Sequence, residues 1–172
     1  MRELVLEDNP ILKKRAPLFD FDNPQEDPEK LTEELLNAMQ KYEGMGLSAC
    51  QIGVDLKVFV MRYNGGGIVC FNPRIVHYSP ETTYIKEGCL SFPGLFFAVE
   101  RAYGIQTEFQ NKEGVKLSGS FVDLPSKCFQ HEYDHMLGKL YTEYAGDLKL
   151  KNARKKQILW QRKKKSNDRQ DF

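Results

Sequence analysis

FQHEYDHMLG, residues 129–138, holds His131, Glu132 and His135 in the pattern H-E-x-x-H. On a helix, residues four apart share a face and lie about 6 Å apart along the axis. Two imidazoles so placed can hold one divalent ion, and Glu132 then lies beside it, where it can take a proton from water. Pro125 suits a first turn and Gly138 the position past the last, so the spacing predicts a helix between them. The same pattern also arises as two surface histidines on an amphipathic helix. The rest of the chain has to decide between the two.

A catalytic site of this type takes a third protein ligand and leaves a position open for water. The metzincin protease pattern continues H-E-x-x-H-x-x-G-x-x-H. Gly138 is present here, but Tyr141 stands where the third histidine belongs. The gluzincin pattern needs a downstream glutamate, and beyond Asp147 the acids are Asp168 and Asp171 in a polar tail. The ligand is therefore sought upstream, among Cys50, Cys70, Cys89, Cys128 and His77. Cys128 shares the face of 131 and 135, but about 7.5 Å of axial rise separates it from the level of residue 133. It reads as a small buried apolar residue. Cys89 is favoured, because Glu87-Gly88-Cys89-Leu90-Ser91 follows a strand-like run and precedes Phe92-Pro93-Gly94.

With 172 residues, the chain is most simply one domain with room for a real core. Hydrophobic residues at 41% and charged residues at 28% suit a globular protein. No apolar run approaches the ~20 residues of a membrane span. The start, MRELVLEDNP, is acidic and has neither signal- nor transit-peptide character. Four cysteines without C-x-x-C argue against a disulfide framework and for a reducing cytoplasm. The net charge of +1 hides an asymmetry. Residues 148–172 carry ten Lys/Arg against two acids, and residues 1–147 fifteen against twenty-two.

Asp27-Pro28-Glu29 marks a helix start, and Leu31, Leu35, Ala38, Met39 and Tyr42 continue at helical spacing until Gly44. Leu56–Tyr63, Ile68–Phe71, Arg74–Tyr78, Glu81–Lys86, Val99–Gln110 and Gly114–Asp123 read as strands, the last two as a hairpin. Short strands followed by a helix that carries the site indicate an α+β fold.

Three motifs, in this order, resemble those of the peptide deformylases. Gly44–Gln51, reading GMGLSACQ, resembles G-x-G-L-[AS]-A-x-Q; Glu87–Ser91 is similar to E-G-C-L-S; Gln130–His135 matches Q-H-E-x-D-H. The resemblance covers about residues 1–145. It implies small antiparallel sheets around a central metal-bearing helix. It also implies a metal-dependent hydrolase that removes the formyl group from the N-terminal formylmethionine of nascent polypeptides. Cys89, His131 and His135 would hold one divalent ion, usually Fe2+ in that family, with Zn2+, Ni2+ or Co2+ able to substitute. Glu132 would be the base, and the Gln51 side chain and Leu90 N–H would stabilise the oxyanion. Met45, Gly46, Ile85, Glu87, Leu124 and Cys128 would border the substrate, with Arg101 near the bound peptide. Lys127 departs from the pattern, since an apolar residue is usual there; either its stem lines the pocket or the pocket is altered. A catalytically silent relative and a zinc endopeptidase are the alternatives.

The division expected is a catalytic domain over 1–147 and a basic helix and tail over 148–172. Asp147 can cap that helix. Its apolar residues Leu148, Leu150, Ala153, Ile158, Leu159 and Trp160 would dock on the body, with fraying after Arg162. Some deformylases that resemble this chain carry a basic C-terminal helix that engages the ribosome. On that reading, removing 152–172 weakens ribosome binding and leaves activity on a short formyl peptide near normal.

Overall fold

The computed structural model describes residues 2–167, apart from the Lys165 and Asn167 side chains; Asp168 and Asp171 lie outside the described residues. Helix α1 (Pro28–Lys41) starts where the sequence places it. The Asp27 carboxylate accepts from Lys30 N at 3.0 Å, satisfying one of the amides left over at a helix start. Leu31, Leu35, Ala38 and Met39 form its buried stripe.

Seven strands follow: β1 (Gly46–Ser48), β2 (Val58–Tyr63), β3 (Gly66–Tyr78), β4 (Thr82–Glu87), β5 (Phe97–Ala102), β6 (Gly104–Gln110) and β7 (Lys116–Val122). They make an antiparallel sheet ordered β1-β2-β3-β6-β7 and a separate antiparallel pair, β4-β5. The long sheet is buried on both faces near β2. Val58 and Val60 pack with the α1 stripe, while Phe59 and Met61 point to the other face, as a two-residue period requires. Against that second face lies α2 (Asp123–Met136). Its Phe129 meets Phe59 edge-on at 4.9 Å and stacks on Phe121 at 5.4 Å. Full burial of one such ring is worth about 1.5–3 kcal/mol. The layering is thus α1, sheet, α2, with β4-β5 against the side of α2 away from α1. The small antiparallel sheets around the HExxH helix are those expected.

Two strand boundaries differ from the sequence reading. Ile68–Phe71 and Arg74–Tyr78 belong to the single strand β3, which carries Pro73 through a register shift beside Asn72 (φ +50°). The Asn72 side chain holds that irregularity by exchanging two 2.8 Å bonds with the Phe19 backbone. Conversely, Val99–Gln110 is two strands. Alternating burial breaks at Arg101-Ala102, both buried, and the chain bends at Tyr103 to change sheets.

Gln130 fastens α2 to β5: its Nε2 donates to Ala102 O at 2.9 Å and its Oε1 accepts from Ala102 N at 3.2 Å. The third helix, α3 (Asp147–Asn167), continues past Arg162 rather than fraying there. Its docking face takes in only part of the apolar set expected to dock. Leu148, Ile158 and Leu159 are exposed, whereas Ala153 and Gln157 are buried and Leu150 packs partly against the core. Polar contacts seat it alongside Ala153 and Leu150: Gln157 Nε2 donates to Pro93 O at 3.0 Å, and Arg154 pairs with Glu7 at 2.6 Å. None of the described helices is long and apolar enough to cross a membrane.

Candidate active site

α2 presents His131 and His135 one turn apart, with ring centroids 5.2 Å from each other. The turn after β4 brings Cys89 to them. One donor atom from each of the three lies within 4.8 Å of the others, the one such group of three among the described residues. Cys89 Sγ is 3.4 Å from His135 Nε2. Burial, with a repulsive contribution from His131 and Arg101, pushes the His135 pKa well below its usual value, which favours the neutral imidazole. One thiolate and two imidazoles are the donor set of a borderline-soft divalent ion, and these residues fit one. The remaining cysteine candidates do not compete: burial pushes the thiols of Cys50, Cys70 and Cys128 up and keeps them protonated. His77 is exposed on β3.

Behind the triad runs a buried chain of charges. His131 Nδ1 faces Glu87 Oε2 at 3.0 Å. Arg101 donates to both Glu87 oxygens, at 2.7 and 3.0 Å, and to Asp134 Oδ2 at 2.5 Å. Burial alone would raise the Glu87 pKa, but bonds to His131 and Arg101 outweigh it and hold the carboxyl down at about 2. An ionised Glu87 fixes the His131 ring, which leaves its other nitrogen available as a donor beside Cys89 and His135.

Glu132 is buried beside the triad without being one of the donors. Burial raises its pKa, although His131 and Ser48 pull it down. Ser48 Oγ donates to Glu132 Oε2 at 2.6 Å, which leaves Oε1 turned to Gly46. A β-carbon on Gly46 would stand 2.5 Å from that Oε1 and 2.9 Å from Cys128 Sγ, so β1 approaches the site this closely only as glycine. Gln51 is oriented from the same turn. Its Oε1 accepts from Ser48 N at 2.9 Å, aiming Nε2 at Cys89 Sγ (3.3 Å) and Ser91 Oγ (3.2 Å).

These groups open on a groove of about 840 Å³. Met45, Gly46, Ile85, Glu87, Leu124 and Cys128 border it, as do Gln51, Leu90 and Glu132. Arg101 does not. It is 4% exposed and lies behind Glu87, a buried cation where the sequence suggested a peptide contact. The stem of Lys127 borders the groove while its ammonium donates to Asp123 at 2.9 Å. Ser48, Asp134, Trp160 and Lys164 escaped the sequence reading. For Ser48 and Asp134 a signal existed, since they lie inside the GMGLSACQ and QHEYDH motifs; Trp160 and Lys164 meet the groove only through the fold.

The polypeptide deformylase family profile matches residues 1–151. A peptide deformylase of Thermotoga maritima is 37% identical over 149 residues, covering 86% of this chain and 89% of that protein. A peptide deformylase 1B of Solanum lycopersicum, named chloroplastic, is 35% identical over 160 residues, covering 90% of this chain and 57% of that protein. The crystal structure of a peptide deformylase from Legionella pneumophila superposes with a TM-score of 0.86 at 31% identity, covering 95% of this chain and 97% of that one. With a family match over most of its length and the three motifs gathered at one groove, the chain belongs to the polypeptide deformylase family.

Proposed function

We propose that Cys89, His131 and His135 hold one divalent ion and that the groove presents the formyl end of a formylmethionyl peptide to it. The chain is an enzyme of the deformylase type, removing the N-formyl group from nascent polypeptides. The observation that carries the residue assignment is the position of Glu132: a buried carboxylate, oriented by Ser48, opening on the same groove as Cys89 and His131.

When bound, the ion supplies Lewis acidity, making water a nucleophile near neutral pH. Glu132 accepts the proton of the attacking water and passes it to the departing amine. Gln51 Nε2 and Leu90 N–H donate to the formyl oxygen as it gains charge, each donor being worth about 2.7–4 kcal/mol by analogy with other oxyanion holes. Glu87 keeps the His131 ring in register. Met45, Ile85, Leu124 and Cys128 supply apolar surface for the methionine side chain. We take ferrous iron as the ion, from the family resemblance; Zn2+, Ni2+ and Co2+ suit the same donors.

The test is formate release from a formyl-Met peptide by freshly purified, metal-analysed protein, with X-ray absorption on the same sample. One sulfur and two nitrogens per ion are expected, together with loss of activity on chelation. A metal-loaded protein that releases no formate would defeat the activity. An all-nitrogen or all-oxygen shell would remove Cys89 from the site.

The substrate is formed on the ribosome, and the charge of α3 suits a surface of RNA phosphates. Lys151, Lys155, Lys156, Arg162 and Lys163 are all exposed. We assign ribosome contact to residues 148–172 and catalysis to residues 1–147. The cytoplasm is the compartment we assign, in keeping with four free, buried cysteines. Changing those five cations to glutamine leaves the docking face of α3 in place. It should weaken ribosome binding and flatten its salt dependence by up to about five phosphate contacts. Equal affinity of the two proteins at the same salt would remove the ribosome from the role of α3.

A further inference from the structure

Trp160 and Lys164 stand on the groove, although they belong to the helix just assigned to another task. Ala153, Gln157, Trp160 and Lys164 recur at three- and four-residue spacing and so share one helical face. That face lies along the turn Phe92–Leu95, where Gln157 grips Pro93 O. Trp160 packs against Gly94. A β-carbon there would fall on the indole ring, and Gly94 also has φ +79°, so glycine serves both the turn and the contact. Trp160 remains 41% exposed as a residue, and the Lys164 ammonium sits 5.5 Å from its ring centroid. The groove, at about 840 Å³, is near the upper end of the volumes that hold drug-sized ligands. It is therefore larger than a formylmethionyl end needs, and an extended chain advances about 3.3 Å per residue.

We infer that Trp160 and Lys164 form the outer wall of the substrate groove and bind the peptide downstream of formylmethionine, Trp160 through its ring face and Lys164 by favouring acidic over basic side chains. This rests on the deformylase reading and extends it: α3 becomes part of the peptide site as well as a surface for RNA. It also revises the expectation for removal of 152–172, because that cut takes away a groove wall. The basic surface and the groove wall occupy different faces, so the two roles can be separated by substitution.

The chain has one tryptophan, so its emission reports on position 160 alone. In zinc-loaded Glu132→Gln protein, which binds without turnover, titration with formylmethionyl peptides of two to five residues should change that emission only once the peptide extends past its second residue. In the otherwise native enzyme, Trp160→Ala should raise KM for the five-residue peptide relative to the dipeptide by roughly three- to tenfold, the worth of one aromatic contact, and Trp160→Phe should recover most of that loss. Lys164→Glu should shift the preference from an acidic to a basic third or fourth residue by roughly two- to fivefold, as an exposed charge allows. An emission change already complete with the dipeptide, or a KM ratio independent of peptide length in Trp160→Ala, would overturn the inference. If neither peptide is deformylated by the native enzyme, the deformylase reading itself fails, and that outcome is distinct from these.

Discussion

Glu132→Gln keeps its metal and loses roughly two to four orders of magnitude in kcat, the usual worth of a positioned acid–base group. Metal retention follows because Glu132 is not one of the three donors. Folding should survive as well: the substitution is isosteric at a site that is 3% exposed, and the amide oxygen can still accept the 2.6 Å bond from Ser48. What an amide cannot do is take a proton at Oε1, the oxygen turned to Gly46, or return one to the leaving amine. Burial raises the Glu132 pKa, which brings the carboxylate closer to neutrality and makes it a better base than an exposed glutamate. Metal content, thermal melting and steady-state kinetics on one preparation check all three points. A kcat within tenfold of the native enzyme, at full metal occupancy, would take the base role from Glu132.

The helix bearing His131 and His135 was legible because its information is local: a four-residue spacing, a proline near one end, Gly138 (φ +69°) just past the other. Cys89 was legible through its neighbours, and α1 through its Asp27 cap. Failures came where partners lie far apart in sequence. Arg101 sits in a stretch that reads as one solvated strand, and nothing nearby shows that Glu87 and Asp134 converge on it from β4 and α2. The strand change at Tyr103 shows only as a slip in alternation. For α3 the apolar residues suggested the docking face, and Ala153 and Leu150 do dock, but Leu148, Ile158 and Leu159 stay exposed while Gln157 and Arg154 make polar contacts whose partners, Pro93 and Glu7, are 64 and 147 residues away. Ser48 looks like a minor motif variation until the fold brings Glu132 to it across 84 residues.

Arg101→Met should destabilise the protein by about 3–5 kcal/mol, the usual penalty for breaking one side of a buried ion pair. The guanidinium is 3% exposed and joins Glu87 and Asp134, whose side chains are 8% and 11% exposed. Methionine fills much of the volume but leaves two buried carboxylates without their shared cation, with only His131 beside Glu87 and the Tyr144 hydroxyl beside Asp134. Glu87 has its pKa lowered to about 2 against an ordinary value of 4.5, through His131 and Arg101 acting against burial. A lowered carboxyl pKa contributes stability that is complete above 4.5 and is lost as pH falls toward 2. Much of that contribution requires Arg101, so the gap between native and Arg101→Met proteins should be widest at neutral pH and narrow as pH drops below 4.5. Urea unfolding of both proteins with metal chelated, at pH 7 and near pH 3.5, measures the gap without linkage to metal binding. Equal midpoints at pH 7 would show that the buried charges do not hold β4, β5 and α2 together. A gap that stays constant down to pH 3.5 would assign the loss to packing around the arginine stem and not to its charge.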